Sequence, residues 1–231
     1  MATPSGEESS DAYGDDLYRE PEGSVDTRAS LGPLAPMAGL WEGVSGLDDH
    51  PVADGLERDA YVERYELSPI DRQTNGPQLL YGLRYHTHIV RPGEIETFHD
   101  QVGYWLWEPQ AQLVTFSLTI PRGQALLAAG HAAPDAIAFE VSATRGSPVY
   151  GIVSNPFLDR AFRTIAFRLS VTIGPGDTWA YEQETTLAIA GRDEPFSHRD
   201  RNVLRRIGPA APNSLARNPL AADGPAPGDV A

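Results

Sequence analysis

Two-residue alternation is the feature that most limits how this chain can fold. In 163–173, Arg163, Ile165, Phe167, Leu169, Val171 and Ile173 alternate with Thr164, Ala166, Arg168, Ser170 and Thr172. In 179–189, Trp179, Tyr181, Gln183, Thr185, Leu187 and Ile189 alternate with Ala180, Glu182, Glu184, Thr186 and Ala188. Successive side chains of a strand point to opposite faces, so each segment reads as a half-buried β-strand. The GPGD turn at 174–177 joins the two as a hairpin. Similar patterns at 39–46, 60–69, 78–91, 95–107, 112–121, 123–130, 136–143 and 198–207 bring the total to roughly ten strands at short spacing. That predicts an all-β fold, a roughly ten-stranded antiparallel barrel. The Gly, Thr, Gln and Glu among the strand hydrophobics suit a partly polar lumen. One short helix is expected at 155–162, where Asn155 precedes Pro156.

The ends differ in composition. Residues 1–30 carry eight acidic residues, two arginines and no hydrophobic period, and are expected to be a disordered acidic leader. Residues 209–231 are rich in Pro, Ala and Gly and are expected to be a disordered tail. One barrel domain, 31–208, lies between them.

Composition excludes several chemistries. There is no cysteine, hence no thiolate nucleophile, disulfide or zinc-thiolate site. All 18 basic residues are arginine, hence no lysine Schiff base and no P-loop lysine. A formal net charge of −14 disfavours broad binding to nucleic acid or anionic membrane. No stretch approaches an apolar membrane span, and the acidic N-terminus does not resemble a secretion signal, so a cytoplasmic location is expected.

Six histidines remain as candidates for chemistry: His50, His86, His88, His99, His131 and His198. His86 and His88 share one face of a strand whose other face (Leu79, Tyr81, Leu83, Tyr85, Thr87, Ile89) is more apolar, which turns the pair outward. The competing possibility is a cupin-like metal site completed by Glu94 or Glu96 and His198. His99 shares a face with Gln101, Gly103, Trp105 and Trp107, a combination that could line a ligand cavity or simply pack beside indoles. His198 opens the last strand after a charged loop, at one rim of a barrel. On a regular strand Asp200 and Asn202 share its face.

Gly39-Leu40-Trp41-Glu42-Gly43 resembles the GxWxG opening of the nitrobindin-like heme-binding β-barrel proteins, also described as fatty-acid-binding-protein-like. HDQVGY at 99–104, running on as WLW, resembles their HxExGY strand. SLTIPR at 117–122 and the closing pair 179–189 and 198–207 follow in the same order. The resemblance covers about 32–207, nearest to a bacterial branch. It implies a ten-stranded barrel, a small-molecule ligand, and heme b held by an axial histidine, which is His198 here. It also implies activity on nitric oxide or isomerisation of peroxynitrite to nitrate. The cofactor-binding set is then His198, His99, Gln101 and Trp41, with His198 as the metal ligand. Flanked by Gly39 and Gly43, Trp41 is also expected to fill the barrel floor. Two alternatives stand beside this: a metal-free carrier of a fatty-acid-like apolar ligand, and the cupin-like non-heme metal enzyme.

Overall fold

The computed structural model describes residues 13–211. Eleven strands form one antiparallel sheet: β1 (Gly39–Val52), β2 (Gly55–Asn75), β3 (Gln78–Val90), β4 (Thr97–Glu108), β5 (Leu113–Ile120), β6 (Gln124–His131), β7 (Ala138–Thr144), β8 (Ile152–Ser154), β9 (Phe162–Gly174), β10 (Thr178–Ile189) and β11 (Phe196–Gly208). Their order is β5-β4-β3-β2-β1-β11-β10-β9-β7-β6, and the β5–β6 pairing closes a ten-stranded barrel as expected. The β6–β7 seam is thin. Only Ala129 and Ser142 pair across it, and the three-residue β8 takes the rest of the β6 edge at Gln124–Leu126. Helix α1 (Pro156–Ala161) follows Asn155, whose side chain accepts from the Leu158 amide as its cap. No helix among the described residues is long and apolar enough to cross a membrane.

The expected disordered ends lie partly outside the described residues, at 1–12 and 212–231. From Tyr13 onward the chain lies along the barrel. The Ser24 amide donates to Tyr81 OH at 2.9 Å, Arg72 donates to the Gly23 carbonyl, and Tyr13 donates to Glu108. Two 3-10 turns, Arg28–Ser30 and Gly32–Met37, then bury Leu34 and Met37 in the core.

The first strand runs to Val52, six residues beyond its expected end, because it contains a bulge. Gly43 pairs with Glu63 while Gly46 pairs with Tyr61, so β1 spends one more residue than β2 over this stretch. The extra residue reverses the parity of the strand. Trp41 and Gly43 point inward before the bulge, and Gly46 and Asp48 point inward after it; Val44 is exposed. Both glycines are required by close approach. A Cβ on Gly43 would overlap the Asn202 amide, and one on Gly46 would overlap the Tyr61 ring.

The inward residues form successive levels along the barrel. At the floor are Trp41, Trp107, Trp179 and Leu204, and Trp41 donates to the Met37 carbonyl at 2.7 Å. The Arg206 guanidinium lies 4.1 Å over the Trp41 ring and closes this end by donating to the Ala38 and Pro36 carbonyls. Above it an aromatic level contains Tyr65, Tyr85, Trp105, Phe116 and Phe167, with Trp105 and Phe116 centroids 4.3 Å apart. The next level is polar, and above that the barrel opens.

Candidate functional site

Antiparallel register brings the polar residues together. Asp48 of β1 lies directly opposite Asp200 of β11, and Asp200 lies opposite Gln183 of β10. His198, two residues from Asp200 on the same face, is diagonal to Asp48. Its Nε2 donates to Asp48 Oδ1 at 2.6 Å. His50 Nδ1 lies 3.1 Å from the other oxygen of Asp48. Gln183 Nε2 donates to Asp200 Oδ2 at 2.8 Å. Across the lumen, His99 donates from Nε2 to Gln101 Oε1 at 3.3 Å, and Gln101 donates to Tyr85 OH at 2.8 Å.

Beneath this group Glu63 is fully enclosed. It accepts from Thr87 Oγ1 at 2.7 Å, Tyr181 OH at 2.8 Å and Asn202 Nδ2 at 3.0 Å, and the Tyr61 and Tyr181 hydroxyls are 2.8 Å apart. These donors are neutral, so burial keeps the Glu63 carboxyl above its ordinary pKa despite them.

Two adjacent cavities that share part of their lining carry these side chains. The inner one, about 100 Å³, is walled by aromatic rings and by Asp48, Glu63, Asp200, Gln101 and His198. The outer one, about 430 Å³, opens to solvent and is lined by apolar side chains including Leu118, Ile120, Leu126, Phe157 and Phe167. His198, His99, Gln101, Asp48 and Arg122 border both. Burial pushes Asp200 up to about 7, with the charges of Asp48 and Glu63 adding to it and His198 opposing. Asp200 borders the inner cavity. Burial alone would lower His198, but the hydrogen bond to Asp48 and the charges of Asp200 and Asp48 outweigh it, and its pKa is raised. Burial lowers His99, with the Gln101 hydrogen bond opposing, which favours the neutral imidazole.

The chain matches the model of the THAP4-like, heme-binding β-barrel domain over residues 30–206. It belongs to that family. Among solved structures the barrel is similar to Rv2717c from M. tuberculosis, at a TM-score of 0.56 and 20% identity, over 80% of this chain and 99% of that one. No curated protein matches it.

Against this family frame the expected site residues divide. His198, His99 and Gln101 meet at the cavity. Trp41 does not: its indole lies at the floor, 1% exposed, and borders neither cavity. The cupin-like set is not assembled. His86 and His88 face outward from β3, bonded to Asp100 at 2.9 Å and Thr97 at 3.0 Å, while Glu94 and Glu96 sit on the exposed β3–β4 loop and His198 is inside. Sequence reasoning missed Asp48 and Glu63 and gave His50, one of its six candidate histidines, no role. The signal for Glu63 was its parity, since it shares a face with Tyr61, Tyr65 and Leu67. The β1 bulge hid the parity of Asp48 and His50.

Proposed function

We propose that this protein holds heme b in the outer cavity, with His198 as axial ligand, and acts on nitric oxide or isomerises peroxynitrite to nitrate. The observation that carries this reading is an imidazole on the cavity wall, backed by the buried carboxylate of Asp48 and facing an apolar slot. The residues present fit a porphyrin. Leu118, Ile120, Leu126 and Phe167 would offer apolar contact to a macrocycle, and Arg122, which lines the same cavity, would offer a cation to its propionates. Bound there, heme would supply a Lewis-acidic ferric iron with one open coordination position.

The chain's own part is to orient and to exclude water. Asp48 fixes the His198 ring and raises its basicity, as carboxylates do beside ligating histidines. In this structure the carboxylate holds Nε2 itself, so ligation through that nitrogen requires the pair to part. Neutral Gln101 and His99 line the opposite wall. Asp200 titrates near neutrality, so in its protonated form it does not repel an anionic substrate.

The deciding experiment is heme titration of the full chain, read in the Soret region, for wild type and His198→Ala, with circular dichroism as folding control. The expected result is one heme per wild-type chain, loss of tight binding in a folded variant, and partial rescue by added imidazole. Absence of a wild-type Soret band ends the heme reading and favours the metal-free carrier, for which the apolar outer cavity is the supporting observation. Equal binding by both proteins moves the ligand assignment to His99.

A further inference from the structure

We propose that Asp48, His198 and Asp200 form a site for one divalent transition-metal ion that needs no porphyrin and excludes heme from His198 while filled. One ligand atom from each residue lies within 4.8 Å of the others. All three sit on adjacent strands in fixed register, Asp48 opposite Asp200, and all three border the inner cavity, whose volume of about 100 Å³ leaves room for an ion and the waters that complete its shell.

The pairing of the acids points the same way. Several strand acids on the outer face are matched with arginine: Asp49 with Arg58, Asp59 with Arg91, and Glu140 and Glu184 with Arg168. Asp48 and Asp200 have no arginine partner among the described residues. Asp48 is met by two imidazoles and Asp200 by one amide. Two carboxylates that lack a fixed cation balance a 2+ ion.

A second imidazole lies beside Asp48. His50 Nδ1 is completely buried, makes no hydrogen bond, and lies 3.1 Å from Asp48 Oδ2. Its Nε2 lies 3.8 Å from the exposed Glu57 carboxylate. His50 adjoins Asp48 from the outer cavity and is not one of the three converging residues.

The donor set is carboxylate oxygen and imidazole nitrogen without thiolate, which suits Zn²⁺, Mn²⁺, Fe²⁺, Co²⁺ or Ni²⁺ and not Cu⁺. The proton now shared by His198 Nε2 and Asp48 Oδ1 would leave to solvent as the ion takes its place. With metal–ligand bonds of about 2.0–2.2 Å, the 2.6 Å pair has to open to roughly 3 Å, a side-chain adjustment.

The test uses heme-free, tag-free, full-length protein stripped with chelator and titrated with Zn²⁺ in a calorimeter and with Co²⁺ in the visible. The expected result is saturable binding of one ion per chain, with cobalt d–d bands. Asp200→Asn should weaken it at least tenfold, and Asp48→Asn, tested separately, should do the same. Both variants are isosteric, and their melting curves establish that they fold. Heme added to zinc-loaded wild type should release zinc. No saturable binding, or unchanged affinity in folded Asp200→Asn, overturns the proposal. The heme reading fails or stands on the Soret titration alone, so the two outcomes are separable.

Discussion

The two ends of this barrel are built from the same strands and hold opposite chemistry. At the floor the inward side chains are apolar or aromatic, Trp41 has its indole nitrogen tied to the Met37 carbonyl, and Arg206 and the 3-10 turns seal the end. Four to eight residues further along the strands, inward positions carry Asp48, Glu63, Asp200, His99 and His198, and the lumen is hollow. The floor gains from burying area. The mouth holds carboxyl groups that burial disfavours. The floor therefore holds the barrel together, while the mouth trades stability for groups able to bind and exchange protons.

The sharpest way to break this contrast is Trp41→Ala. The indole is 1% exposed, packs edge-on against Trp179 at 6.2 Å, and is capped by Arg206. Its loss should cost about 3–5 kcal/mol in chemical denaturation. A near-native midpoint would mean the floor is not the anchor. Next is Glu63→Ala, at the boundary between the two regimes. It strips the partner from Thr87, Tyr181 and Asn202 at once, and should cost about 1–3 kcal/mol, with Glu63→Gln costing less because it keeps one acceptor. Equal melting of Ala and Gln variants would show that the network contributes nothing.

A smaller effect is the response to pH, and its sign separates mouth from surface. Asp200 has an ordinary value of 3.8 and about 7 in the fold, so the folded state holds its proton more tightly. The stability this brings is present at low pH and is lost as pH rises through about 7. His198 is also raised, so its contribution is complete below its ordinary 6.5 and fades as pH rises past its folded value. His99, lowered by burial, works the other way but is a single group. The surface acids behave oppositely. Arg58 holds Asp49 low, and Ser197 and Arg168 hold Glu184 low, so their contribution is lost only as pH falls below the ordinary carboxylate range. Thermal midpoints should therefore be highest near about pH 5 and decline toward pH 8. Asp200→Asn should flatten that decline. A midpoint that rises from pH 5 to 8 would mean the mouth carboxyls are not strained.

Much of the barrel was legible because its strands keep their period. β9 and β10 alternate without a break through the 174–177 turn, and Asn155-Pro156 marks α1 plainly. Parity stops being readable at Val44 and Ser45. The bulge there turns Asp48 inward, and from the sequence alone a DDH run after glycine looks solvated. The early part of β2 was missed for a different reason. Residues 55–58 are exposed polar ribbon and carry no hydrophobic period to detect. At the site, His198 and His99 were visible because histidines are few. Glu63 was not, because one buried acid in a chain with 32 acidic residues stands out only by the face it shares.

The smallest expected effect is at the opposite face of the sheet, and it tests whether the contrast is between ends of the lumen or merely between histidines. On β3, Tyr85 and Thr87 point into the barrel and are buried, whereas His86 and His88 point out, half of the His86 side chain being exposed. Their rings lie 6.5 Å apart, and each is bonded to its own β4 neighbour, Asp100 or Thr97, so they do not converge on a common point. The His86→Ala, His88→Ala double variant should change stability by about 0.5 kcal/mol or less. It should leave heme uptake and Zn²⁺ affinity at wild-type values, because neither side chain borders either cavity. A loss of zinc binding confined to this variant would move metal binding to the outer surface, and the polar mouth would then have no claim to it.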